Sequence, residues 1–157
     1  MLIKGLTDED FVNYKKPSMF IAFPHCTFKC EKECGERCCQ NSALAAAKTI
    51  EIPIDKLVDR YVSNPITRAV VCGGLEPFDD FEDLYRLVWK LRYNSNDTIV
   101  IYTGYRKEEI AEQIAALASI KNIIVKFGRY IPGQTPHLDS VLGVELASDN
   151  QYAERIS

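Results

Sequence analysis

Histidine is nearly absent from this chain. There are two, His25 and His137, and neither has a second histidine at helical spacing. Neither therefore reads as a metal ligand. Long apolar runs are missing as well: none approaches the roughly 18 residues that span a bilayer. Lys4, Asp8, Glu9 and Asp10 interrupt the first ten residues, so no secretory leader is expected. Basic blocks are absent and the net charge is −3, which disfavours a nucleic-acid partner. Repeats, low-complexity tracts and long linkers are lacking, and no flavin or second-cluster signature occurs. These absences imply one cytoplasmic domain over residues 1–157, with no membrane partner.

Cysteine, by contrast, is crowded. Five of the six cysteines, Cys26, Cys30, Cys34, Cys38 and Cys39, fall within fourteen residues. Such crowding implies a soft-metal site or a disulfide knot. A chain of 157 residues can bury a core without staples, and a reduced compartment is expected, so iron–sulfur or zinc is favoured.

Apolar segments alternate with helical patterns. Met19–Phe23, Ala69–Cys72, Thr98–Tyr102 and Asn122–Phe127 read as buried strands, with a last short strand at Val141–Leu146. Asn41 and Ser42 read as caps before LAAAK, and Pro53 suits the first turn of the next helix. Ile54, Leu57, Val58, Tyr61 and Val62 share a face of that helix. Asp79 is placed to cap a helix buried through Phe81, Leu84, Tyr85, Val88 and Leu91, and Arg106–Ala118 forms another. Continuously apolar strands between helices predict an α/β fold with a parallel sheet. All strand carboxyl ends then meet at one edge, with the cysteine loop (24–41), Gly73–Pro77, Thr103–Tyr105 and Gly128–Arg129. A closed eight-stranded barrel takes about 250 residues. The sheet is therefore expected to be a partial parallel (β/α) barrel, open on one side.

Cys26-x3-Cys30, with Cys39 followed by Gln40-Asn41, resembles the cluster loop of radical S-adenosylmethionine (SAM) enzymes, whose usual spacing is C-x3-C-x2-C. Gly73-Gly74-Leu75-Glu76-Pro77 resembles that family's Gly-Gly-Glu-Pro segment, with Leu75 inserted. Ile99–Tyr105 and Ser148-Asp149-Asn150-Gln151 resemble segments of the activating proteins of anaerobic ribonucleotide reductase. The resemblance runs from about Phe20 to Gln151. It implies a radical SAM barrel, a [4Fe–4S] cluster on Cys26, Cys30 and Cys39, and one iron left free for SAM. It further implies SAM contacts from Gly73, Gly74, Glu76, Thr103, Lys126 and Asn150, with no protein side chain as the catalytic group. The implied partner is a glycyl-radical enzyme, an anaerobic ribonucleoside-triphosphate reductase, with flavodoxin or ferredoxin as electron donor.

Two alternatives stand beside it. Cys38 competes with Cys39 as third ligand, and Cys26, Cys30, Cys34 and Cys38, spaced every four residues, would close a structural metal site. Thr103 also reads as a turn residue, Lys126 as a lysine snorkelling from a strand end, and Cys72 as a buried filler. Small radical SAM enzymes acting on a nucleobase or peptide are a further option.

Overall fold

A computed structural model describes residues 1–157. Its elements run β1 (Leu2–Ile3), β2 (Gly5–Asp10), β3 (Ser18–Phe23), α1 (Lys29–Cys34), α2 (Ser42–Ala46), β4 (Ile50–Glu51), α3 (Ile54–Ser63) and β5 (Ala69–Gly74). Then come α4 (Phe81–Asn94), β6 (Thr98–Tyr102), α5 (Ala111–Ala118), β7 (Ile123–Phe127), β8 (His137–Asp139), β9 (Val144–Leu146) and β10 (Tyr152–Arg155). Six strands form one open sheet in the order β10-β7-β6-β5-β3-β2. The inner four are parallel, as their unbroken apolar runs require.

The expectation that every strand runs the same way fails at both edges. β2 pairs antiparallel with β3, and β10 pairs antiparallel with β7. Both edge strands carry charged residues (GLTDED and YAER), which suit a strand exposed along one side. The Val141–Leu146 strand is likewise shorter than expected, because Gly143 at φ 73° turns the chain and only Val144–Leu146 pairs, with β8.

Alternation along each strand divides the core. Met19, Ile21, Val70, Cys72, Ile99, Ile101, Ile123 and Val125 join the larger core with α3, α4 and α5. Leu57, Leu84, Leu87 and Leu117 are fully buried there, and each contributes about 1.5–3 kcal/mol. Val71, Val100 and Ile124 meet Tyr14, Leu142 and Leu146 in a smaller core formed with loop 11–17 and segment 141–146.

Local expectations are corrected in several places. Val62 is 54% exposed, at the border of the α3 stripe, whereas Leu87 completes the buried face of α4. Pro53 precedes α3 as its extended cap residue instead of opening its first turn. The expected Arg106–Ala118 helix begins as a 3-10 turn, Lys107–Ile110, and becomes α-helical only at Ala111, as α5. Asp79 does not cap α4; its carboxylate receives Thr27 N–H at 2.8 Å and the Tyr105 hydroxyl at 2.5 Å.

Candidate metal and cofactor site

The carboxyl ends of β3, β5, β6 and β7 meet at one edge of the sheet. The chain leaves β3 through Pro24 into the cysteine loop, which is fastened back to the turn after β5. Glu76 N–H donates to His25 O at 2.8 Å, and His25 Nδ1 lies 2.6 Å from Asp80 Oδ1. Asn41 does not cap α2 with its side chain; its Nδ2 donates to Gly74 O at 2.7 Å and ties down the loop exit. Gly74 must be glycine: it sits at φ 87°, and a Cβ there would lie 2.8 Å from the Ala22 backbone. Gly128, at φ 101°, similarly lets Asn150 O approach to where a Cβ would be 3.0 Å away.

These turns enclose a cavity of about 280 Å³. Cys26, Cys30 and Cys39 line it together with Gly74, Glu76, Thr103 and Lys126. Cys34, Cys38, Gly73 and Asn150 are not in its wall. Gly73 packs against Phe20 and Tyr102, and Asn150 Nδ2 donates to Arg129 O at 2.8 Å. The neighbouring Gln151 lines the cavity, its Nε2 donating to Gly128 O and its Oε1 receiving Ala147 N–H and Ser148 N–H.

Two buried charges of opposite sign face this space. Glu76 is 4% exposed. Its Oε1 accepts from Thr103 Oγ1 at 2.8 Å and Phe78 N–H at 3.2 Å, and its Oε2 from Gly104 N–H at 2.8 Å. Burial nevertheless pushes its carboxyl up to about 7, against the pull of those three donors. Lys126 is not snorkelling from its strand: it is buried, donates from Nζ to Gly128 O at 2.9 Å, and is pushed down to about 8 by burial. Glu76 opposes that drop. Thr103, with its hydroxyl on Glu76 and its oxygen receiving Tyr105 N–H at 2.9 Å, is committed to holding the site together.

All six thiols are free. Burial raises Cys26 to about 11, although Phe28 N–H points at its sulfur from 3.2 Å. Cys30 is raised by burial and by the neighbouring Cys39. A bound iron reverses this preference, because a coordinating thiol is deprotonated outright. No three His, Cys, Asp or Glu side chains gather round one ion-sized point. A cubane gives each thiolate its own iron, so three thiols lining one cavity suit a cluster.

A family described as a 4Fe-4S single cluster domain matches residues 17–142. The chain belongs to that family. It is an iron–sulfur protein of the [4Fe–4S] type, and the matched span holds the whole cysteine loop and all four parallel strands. No curated protein and no solved structure matches the chain. No helix is long and apolar enough to cross a membrane.

Asn13, Tyr102, Glu145 and Ala147 also line the cavity and were not expected there. Tyr102 ends a strand, and its hydroxyl donates to Asn13 O at 2.7 Å. That bond spans 89 positions, and nothing local to either residue signals it. Arg129 did carry a signal, the Gly128-Arg129 turn at the sheet edge.

Proposed function

We propose that this 4Fe-4S single cluster protein is a radical SAM activase on a laterally open (β/α) scaffold, generating a glycyl radical on a partner enzyme. One observation carries the reading: Cys26, Cys30 and Cys39 share a cavity with Gly74 and the buried side chains of Glu76 and Lys126, at the carboxyl ends of parallel strands. Ligands of open α/β sheets bind at that edge. Cys26, Cys30 and Cys39 would hold the cluster, and with Cys34 and Cys38 outside the wall it would have three protein thiolates and be open to an external ligand. Bound there, the cluster supplies the electron that cleaves the SAM sulfonium bond.

The chain's own residues do the rest. Lys126 offers a positive charge to the ligand carboxylate from a buried position, where water screens it little. Gly74 keeps the cavity wall bare of side chain, so the ligand approaches backbone. Glu76 sets the Gly104 and Phe78 amides, and Thr103 holds Glu76 in place. The unclosed sheet leaves access for a macromolecular substrate. The Thr103–Tyr105 and Ser148–Gln151 resemblances support an anaerobic ribonucleoside-triphosphate reductase as partner, with flavodoxin or ferredoxin as donor.

The test is anaerobic reconstitution, followed by iron and sulfide analysis and electron paramagnetic resonance of the reduced protein. Addition of SAM should perturb the cluster signal, and addition of the reductase should yield a glycyl radical. A fully loaded cluster indifferent to SAM would refute the activase. A closed four-thiolate electron-transfer site is the rival; the Cys38 thiol, raised by burial and then by Cys34 and Cys30, favours it.

A further inference from the structure

The residues inserted between Cys30 and Cys39 are tied to the sheet edge in two directions. Glu31 Oε1 accepts Cys39 N–H at 3.3 Å. Two residues on, Glu33 Oε1 lies 3.3 Å from Arg129 Nε, and Glu33 Oε2 lies 3.3 Å from an Arg106 terminal nitrogen. Arg129 is only 4% exposed, and its two terminal nitrogens donate to Glu109 at 2.8 and 2.6 Å. Its Nε makes no directed hydrogen bond, so Glu33 is the carboxylate that balances that end of the guanidinium. Lys29, at the start of α1, reaches Glu109 at 3.4 Å and stands 4.4 Å over the Tyr105 ring. Ion pairs thus fasten α1 to the end of β7, and Glu31 on the same helix fastens it to the backbone of Cys39.

We propose that α1 is an ionic latch that positions the third cavity thiol. Glu33 docks α1 on Arg129, and Glu31 passes that docking to Cys39. The inference rests on the proposed function only in taking Cys39 as a cluster ligand. An undocked connection of eight residues between Cys30 and Cys39 has many conformations, and each moves the thiol. Exposed ion pairs alone are weak, but Arg129 is buried and its charge needs partners. Glu31 and Glu33 are positioning residues: neither lines the cavity.

The test is hydrogen exchange on the full chain, paired with the rate at which the reconstituted protein yields iron to a chelator. Glu33→Gln should speed exchange across residues 30–39 by about 1.5- to 5-fold, the range of an exposed ion pair. It should speed iron loss in step. Added salt should loosen the wild-type loop more than the Glu33→Gln loop, in which only the Lys29–Glu109 pair still ties α1 to the sheet edge. Glu31→Ala should release the Cys39 amide, whereas Glu31→Gln, which keeps an acceptor oxygen, should retain its protection. Lys90→Gln, which removes an ion pair to Asp55 on α3, should change neither readout. Unchanged exchange and iron retention in Glu33→Gln would overturn the latch, as would equal loss in Glu31→Ala and Glu31→Gln. Neither readout uses SAM. A latch that behaves as expected in a protein that never cleaves SAM supports the latch and sinks the activase.

Discussion

Replacing Glu76 by glutamine separates two opposing effects in one buried side chain. Wild-type Glu76 has its carboxyl pushed from 4.5 up to about 7, chiefly by burial. An acid whose folded value is raised contributes stability that is fully present below its unfolded value. That contribution is lost as pH rises through the folded value. The loss spans roughly pH 4.5 to 7 and amounts to about 3 kcal/mol, taking 1.36 kcal/mol per unit. Glutamine does not titrate, but its amide nitrogen cannot accept from Gly104 N–H, or from Thr103 and Phe78 if it is turned over. A buried donor left unpaired costs about 1–3 kcal/mol. Glu76→Gln should therefore be the less stable protein at pH 5, and the gap should close or reverse above pH 7.5. Urea unfolding of both proteins across pH 4.5–8.5 measures this, and the difference between them cancels the titrating groups that Glu76 does not touch; of those coupled to it, Cys26 and Tyr105 are raised well above this range and Lys126 is brought into it. Lys126 runs the other way: its folded value is depressed to about 8, so its contribution is present above 10.5 and is lost as pH falls through 8. A wild-type-minus-variant difference that stays flat from pH 4.5 to 7.5 would refute the claim that Glu76 is desolvated.

Cys26→Ala, Cys30→Ala and Cys39→Ala should each abolish iron retention after anaerobic reconstitution, while Cys34→Ala should keep it; iron loss in Cys34→Ala would favour the closed site. Gly74→Ala should destabilise the fold by about 1–3 kcal/mol, because it combines a left-handed backbone with a Cβ 2.8 Å from Ala22; denaturant melting reads it. Leu87→Ala should cost about 2–5 kcal/mol from the larger core without altering cluster content, which separates stability from the site.

The parallel strands were legible because each is an apolar run stopped by glycine or proline. Thr98–Tyr102 matches residue for residue, and Met19–Phe23 extends by only Ser18. The edge strands were not. Gly5–Asp10 holds three acidic residues and Tyr152–Arg155 two charged ones, so neither shows an apolar run. Pairing with a neighbour far along the chain makes them strands. Val62 follows the α3 period yet lies beyond what the sheet covers, a boundary that periodicity does not contain.

The candidate site divides along the same physical line. Gly74, Glu76, Thr103 and Lys126 announced themselves because each closes or ends a strand, and strand ends converge by topology. Asn13, Glu145 and Ala147 come from segments that cover the open face of the sheet, and only the packing of Tyr14, Leu142 and Leu146 on Val71, Val100 and Ile124 brings them there. The five cysteines lie between these cases. Their crowding declared soft-metal chemistry at once, but a run of five thiols does not say which three share a wall. That selection depends on anchors outside the run: Asp79 on Thr27, Asn41 on Gly74, and Glu33 on Arg129. Two of those three anchors are carboxylates bonding residues at least 52 positions away. The choice of thiols in this loop is therefore a tertiary property, set by the sheet edge on which the loop is folded.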